Sequence, residues 1–306
     1  MVRLRLEQIS PALGVFEDNL RLHCGLLEQA CQDSVQCVVF PELSLTGYLV
    51  KDLVPEVAQT CEGLMEHFRQ VTEGIRNLTA IAGFVEETPG HRFHNSAAVL
   101  RWDEAGVLHL VHVHRKVYLP TYGLFDEGRY FSPGRTVRAF DLPPFGRCGI
   151  LICEDAWHLS TPLLLALDGP ALEGAGVLFV LSNSPARGVG AKAGTSPESY
   201  QVWDHLLGAY SSLLEVMVVY VGRGGVEDGL TFSGGSQVLA AGGDRLARAK
   251  HFETDRLDLD LDWPEPLRSA RIGSQVSAAE NVDLFQREMA RILESNLTPL
   301  NPHAAT

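Results

Sequence analysis

The chain has 306 residues, 45% of them hydrophobic and 21% charged, with a formal net charge of −13. That composition suits a large globular core, and the acidic balance argues against binding to nucleic acid or to an anionic membrane surface. No apolar stretch approaches the roughly 18 residues of a membrane-spanning helix, and residues 1–7 lack the apolar segment of a signal peptide, so a cytoplasmic protein is expected.

Residues 2–9 alternate as a half-buried strand does, and 18–32 carry helical spacing through Leu20, Leu27, Ala30 and Cys31. Residues 35–40 form a short continuous apolar run, the pattern of a strand covered on both faces. A helix over 55–71 and a strand over 78–85 follow, and the β-α-β-α-β order predicts a layered α/β architecture. Residues 96–101 and 107–113 flank an Asp103-Glu104-Ala105-Gly106 turn and predict a hairpin. The pattern then repeats: strand 147–152, helix 159–167, strand 176–181, helix 196–214, strand 215–221, and a hairpin over 236–249. The two hairpins resemble each other, which predicts two similar halves facing one another, two sheets with helices outside. No linker interrupts residues 1–262. Residues 263–306 contain Pro264 and Pro266 and then an amphipathic stretch over 278–293, a tail expected to pack on a partner subunit in a homodimer or larger assembly.

Three residues carry a possible chemistry together. Cys153 ends the apolar run Cys148-Gly149-Ile150-Leu151-Ile152, Glu42 follows Val38-Val39-Phe40-Pro41, and Lys116 follows the strand-like 107–113. Taken singly, each has a bland reading: a core thiol, a strand-end carboxylate, a cation in an exposed basic cluster. Taken jointly, they are the parts of an attack on a carbonyl. A thiol needs a base to become nucleophilic, a buried carboxylate is suited to that task, and an ammonium offsets a tetrahedral oxyanion. A dyad of Cys153 with His158 is the alternative. Cys24, Cys31, Cys37, Cys61 and Cys148 read as small buried hydrophobes, with no Cys-x-x-Cys pair and no need for disulfides. Arg187, Lys192 and Arg223 are candidate partners for a substrate carboxylate, and Glu154 and Asp155 for a substrate ammonium. His112 and His114 share a strand face near His109, but no third ligand is apparent, so no metal is expected. Gly222-x-Gly224-Gly225 and Gly242-Gly243 read as turns rather than phosphate cradles.

Phe40-Pro41-Glu42-Leu43-Ser44-Leu45-Thr46-Gly47-Tyr48, Arg115-Lys116-Val117-Tyr118-Leu119-Pro120 and Ile152-Cys153-Glu154-Asp155-Ala156-Trp157 resemble, in order and spacing, the three signature segments of the nitrilase (carbon–nitrogen hydrolase) superfamily. The resemblance covers about residues 2–260. It implies a four-layer α-β-β-α sandwich, with Glu42 as general base, Lys116 as the stabilising cation and Cys153 as nucleophile. It also implies that Glu127, in Phe125-Asp126-Glu127-Gly128-Arg129, is a second active-site glutamate. Leu119-Pro120-Thr121-Tyr122-Gly123-Leu124-Phe125-Asp126-Glu127 and Asp228-Gly229-Leu230-Thr231-Phe232-Ser233-Gly234-Gly235-Ser236 narrow the resemblance to the glutamine-hydrolysing domain of glutamine-dependent NAD synthetases. That likeness implies that Tyr122 lines the substrate pocket and that Ser184, before Pro185, helps to hold the substrate. The ATP-using synthetase domain of that family is not expected here, because Ser233-Gly234-Gly235-Ser236 lacks the aspartate of its phosphate-binding motif.

The expectation is a cofactor-free amidase that hydrolyses a small carboxamide, glutamine favoured, through a thioester, with a separate ammonia-using synthetase as a candidate partner. The alternatives are a stand-alone amidase or nitrilase for another small substrate, and a non-catalytic regulatory subunit of a synthetase.

Overall fold

A computed structural model of the chain describes residues 1–169, 174–187, 198–262 and 282–297. In chain order the first half holds β1 (Val2–Gln8), α1 (Phe16–Gln32), β2 (Cys37–Val39), α2 (Val54–Val57), α3 (Cys61–Val71), β3 (Leu78–Thr88), β4 (Arg92–Trp102), β5 (Leu108–Arg115), α4 (Glu127–Tyr130) and β6 (Phe140–Leu142). The second half holds β7 (Gly146–Ile152), α5 (Ser160–Leu167), β8 (Val177–Ser182), α6 (Glu198–Leu213), β9 (Met217–Gly222), β10 (Gly224–Glu227), β11 (Leu230–Ser233), β12 (Gln237–Leu239), β13 (Arg245–Arg248) and β14 (Asp255–Leu261). A last helix, α7 (Val282–Leu297), lies in the C-terminal segment.

Two six-stranded sheets result, ordered β14-β1-β2-β3-β4-β5 and β13-β12-β9-β8-β7-β6. Each has three parallel strands, an antiparallel hairpin on one side and a single antiparallel strand on the other. The two-halves expectation therefore holds, with one refinement: each half sends its last strand, β6 or β14, to the far edge of the other half's sheet.

Strand alternation explains the layers. Leu6, Val39, Ile81, Ile150, Phe179 and Val219 belong to one buried cluster, which fills the space between the sheets. The alternate residues turn outward: Val38, Phe40 and Ala80 pack with Leu20, Leu27, Leu64 and Phe68 of α1 and α3, and Leu151, Leu178, Val180 and Val218 with Leu165, Trp203 and Leu207 of α5 and α6. Sheets covered on both faces account for the continuous apolar runs in the sequence, and the layers are α-β-β-α.

Three expectations are corrected. The helix expected over 55–71 is broken at Ala58–Thr60: Gln59 bridges to Glu86 of β3, and the Thr60 hydroxyl restarts the helix by accepting a hydrogen bond from the Gly63 amide at 3.0 Å. Strands β6, β10, β11 and β14 were not expected. In β14 every second residue is aspartate or arginine, which reads as a solvated segment until β1 supplies partners: Arg3 with Asp260, Arg5 with Asp258, and Glu7 with Arg256. Cys31 and Cys61 are only partly buried, whereas Cys24, Cys37 and Cys148 are fully so. Within the tail, α7 agrees with the expected amphipathic helix, with Leu284, Met289 and Ile292 half-exposed; residues 263–281 lie outside the described residues.

Candidate active site

Strand ends bring the site together. The chain leaves β2 through Phe40 and Pro41, and Glu42 sits at the mouth of the first sheet with only 1% of its surface exposed. The following residue, Leu43, has φ +44°, a left-handed conformation that reverses the chain sharply. Gly83 of β3 makes room for this reversal, since a Cβ there would lie 2.2 Å from the Leu43 nitrogen. The loop is laced to β3 on either side: the Gly83 amide donates to Ser44 Oγ (3.2 Å) and the Leu45 amide donates to the Gly83 carbonyl (3.0 Å). Buried His23 of α1 holds Ser44 from behind at 3.0 Å.

Cys153 occupies the equivalent place in the second sheet. It follows β7 with φ +42° and opens a tight 3-10 turn, Cys153–Trp157. Lys116 is the first residue beyond β5. What ties these two ends together is Asp155, which is fully buried. Its carboxylate accepts from the amides of Val117 (2.9 Å) and Tyr118 (3.0 Å) just after Lys116, from the Ile152 amide (3.1 Å) just before Cys153, and pairs with His114 Nε2 at 2.9 Å. The expectation that Asp155 receives a substrate ammonium is therefore corrected: its lone pairs are committed to holding the lysine strand against the cysteine turn.

The charged groups form one buried network. Lys116 Nζ donates to Glu42 Oε1 at 2.8 Å and to Glu127 Oε1 at 2.7 Å. Glu42 Oε1 also accepts from Asn95 Nδ2 (2.8 Å), and its Oε2 accepts from the Asn183 amide (2.8 Å). Glu127, at the start of α4, accepts from the Tyr48 hydroxyl at 2.7 Å, while its Oε2 is buried with no hydrogen-bond partner among the described residues. Cys153 Sγ accepts from Ser182 Oγ at 3.4 Å. Burial works to lower the Lys116 ammonium, but Glu127 and Glu42 outweigh it and hold Lys116 charged well above its usual range. Burial pushes the Glu127 carboxyl up, against the pull of Lys116. Burial, and then the charge of Glu42, raise the Cys153 thiol far above its ordinary value, and Lys116 and Ser182 offset this only in part. These surroundings favour the neutral thiol of Cys153 over the thiolate.

The expected substrate residues lie at the rim. Tyr122 is half-exposed, and its hydroxyl donates to both Glu154 carboxylate oxygens at 3.0 Å. Exposed Arg187 lies over the Phe125 ring at 4.7 Å, and Phe125 meets Tyr122 edge-on. Rim and network are joined through Phe125, which also meets Tyr48 edge-on. Ser184 Oγ accepts from the Trp203 indole at 3.0 Å. Other candidates are redirected. Arg223 is buried, ion-paired with Glu227 and stacked on Phe232, and Glu227 in turn accepts from the Tyr48 and Leu49 amides, so Arg223 braces the loop that carries Tyr48. His158 stacks on Tyr118 and faces Glu154 at 3.8 Å, so it forms no dyad with Cys153. His109 pairs with Asp103, His112 stacks on Phe140 and His114 binds Asp155, three separate environments, and no group of three such ligands is placed to hold a metal among the described residues. Lys192 lies outside the described residues. Sequence reading missed Asn95, Ser182 and Asn183. Ser182 and Asn183 could have been signalled by their places at and just beyond the end of β8, whereas Asn95 lies within β4 and carries no such signal.

Residues 3–265 match the carbon-nitrogen hydrolase family. The chain belongs to this family. Among curated relatives it is 33% identical over 272 residues to the glutamine-dependent NAD(+) synthetase of Thermotoga maritima, covering 87% of this chain and 43% of that protein. With the enzyme of the same name from Acinetobacter baylyi it shares 32% identity, over 85% of this chain and 44% of the relative. The chain thus spans less than half the length of these relatives. Among solved structures, the glutamine-dependent NAD+ synthetase of Acinetobacter baumannii aligns with a TM-score of 0.71 at 29% identity, over 85% of this chain and 46% of that one. A carbon-nitrogen hydrolase from Helicobacter pylori aligns with a TM-score of 0.76 over 94% and 98% of the two chains, and at 22% identity it speaks for the fold alone. The expected sandwich is the family's fold, and carbon–nitrogen hydrolase membership is consistent with an amide-hydrolysing enzyme.

Proposed function

We propose that this carbon–nitrogen hydrolase cleaves a small carboxamide, with the side-chain amide of glutamine favoured, through a thioester on Cys153. The observation that carries the reading is the buried Glu42–Lys116–Glu127 network beside the Cys153 thiol, which Ser182 Oγ contacts at 3.4 Å. Glu42 takes the proton from Cys153 as sulfur attacks the amide carbon. Lys116, with the backbone N–H that follows the nucleophile, faces the oxyanion that forms. Collapse of the intermediate breaks the carbon–nitrogen bond, and Glu42 returns the proton to the departing ammonia. Glu42 then deprotonates a water that attacks the thioester, releasing the carboxylate and restoring the thiol. Glu127 Oε2, an acceptor without a partner among the described residues, receives an N–H of the substrate amide.

Two features support glutamine. The rim presents a carboxylate, Glu154, and a guanidinium, Arg187, which together suit the ammonium and carboxylate of an α-amino acid. The relatives named above are glutamine-dependent NAD(+) synthetases, of which this chain matches less than half. Ammonia release measured over glutamine, asparagine, ω-amides lacking the α-ammonium and simple nitriles tests the assignment. Glutamine is expected to show the highest kcat/KM, and Glu154→Gln to raise KM for glutamine while leaving the deaminated ω-amide unchanged. Preference for the deaminated amide would overturn glutamine and keep the amidase. The released ammonia would serve a separate synthetase. A homodimer or larger assembly, expected from the tail, is tested by light scattering.

A further inference from the structure

A cavity of about 630 Å³ opens at the end of β5, and none of Glu42, Lys116, Glu127 or Cys153 lines it. It is lined by residues 88–90 and Arg92 at the β3–β4 turn, by residues 132–136, and by His94, Val113 and Arg115. Its size falls within the range of small-molecule sites, roughly 300–1,000 Å³. Its charge is the unusual part. The chain is acidic overall, yet the lining holds Arg92, Arg115 and Arg135 and no carboxylate. Arg92 and Arg135 are exposed and have no ion-pair partner among the described residues. Arg115 gives Nε and Nη2 to buried Glu86, at 2.7 and 2.6 Å, and Nη1 lies outside that fork.

The walls are fixed rather than loose. His94 is buried and its Nδ1–H donates to the Ser132 carbonyl at 2.7 Å, while the Ser132 amide donates to the Phe93 carbonyl. The Gly134 amide donates to the Lys116 carbonyl at 2.8 Å, and a Cβ on Gly134 would lie 2.2 Å from the Arg115 carbonyl oxygen. Glycine thus lets residues 132–136 lie directly on the end of β5, bringing Arg135 to the side of that strand from which Arg115 projects.

We propose that this cleft binds the phosphoryl group of a small phosphorylated molecule. Guanidinium groups recognise such oxygens in planar, charge-assisted pairs and are more weakly hydrated than ammonium groups. The cavity exceeds a bare phosphate, so an organic substituent fits beside the anion. Calorimetry of the full chain with inorganic pyrophosphate as probe tests the proposal, with citrate as a carboxylate control of high charge. A saturable isotherm of one site per chain is expected, weakened at least about tenfold in Arg92→Ala/Arg135→Ala. Both side chains are exposed and outside the catalytic network, so the variant should keep its melting temperature and its ammonia release. If the double variant misfolds, Arg135→Gln alone carries the test, with a smaller but measurable loss of pyrophosphate affinity. Absence of a saturable isotherm with millimolar pyrophosphate, or equal affinity in wild type and variant, overturns the site. Citrate binding as tightly as pyrophosphate overturns the phosphoryl assignment.

Discussion

Replacing Asp155 by asparagine changes one atom in the centre of the site without touching the reacting groups. The carboxylate serves four donors: His114 Nε2 at 2.9 Å, and the amides of Val117, Tyr118 and Ile152 at 2.9, 3.0 and 3.1 Å. In Asp155→Asn, Oδ1 can still serve Val117 and Tyr118, but an NH2 group then faces the Ile152 amide and the imidazole. Two bonds to a buried carboxylate are lost, each worth about 1.5–3 kcal/mol. We expect about 3–5 kcal/mol of lost stability, read as a lowered urea midpoint at an unchanged slope. Because Asp155 acts by positioning, kcat should fall while KM for the amide stays near wild type. A double-mutant cycle with His114→Leu should return a coupling of about 1.5 kcal/mol or more. A variant within about 1 kcal/mol of wild type and fully active would refute the role of Asp155 as the clasp between lysine strand and cysteine turn.

Lys116→Met should lower kcat by about 10²–10³ or more, the value of one oxyanion donor, and Glu42→Gln should be at least as damaging, since it removes the proposed base for the Cys153 thiol; ammonia-release kinetics check both, and near-normal rates in either would count against the mechanism. Burial holds His23 down to about 4 in the folded chain. An unfolded chain binds a proton there near 6.5, so stability should fall as pH drops from about 6.5 to 4, by about 3 kcal/mol from this group. His23→Gln should flatten that part of a stability–pH profile measured by denaturant titration; an unchanged slope would refute the assignment.

Much of this was legible because sheets buried on both faces leave an unmistakable trace. Val38-Val39-Phe40 and Val177-Leu178-Phe179-Val180 are apolar on both sides, and the polar residues that interrupt such runs, Glu42 and Cys153, mark strand mouths. The rest failed for identifiable reasons. Strand β14 alternates leucine with charge and depends on Arg3, Arg5 and Glu7, more than 240 residues away in sequence, to neutralise it. Arg223 looked free because its partner Glu227 stands at the far end of β10, a short strand that the sequence pattern does not announce. Asp155 looked like a ligand for substrate because nothing local reveals that His114 and Val117 converge on it. Asn95, Ser182 and Asn183 act through individual hydrogen bonds to Glu42 and Cys153, which composition and spacing do not encode.

The central claim is covalent catalysis by Cys153, and the direct measurement is mass spectrometry of enzyme quenched in acid during turnover of its best amide. An adduct with the mass of the substrate less ammonia is expected on the peptide that carries Cys153, and Cys153→Ala should fold normally, form no adduct and release no ammonia. An adduct on Cys61 or Cys148, or ammonia release that persists in Cys153→Ala, would contradict it.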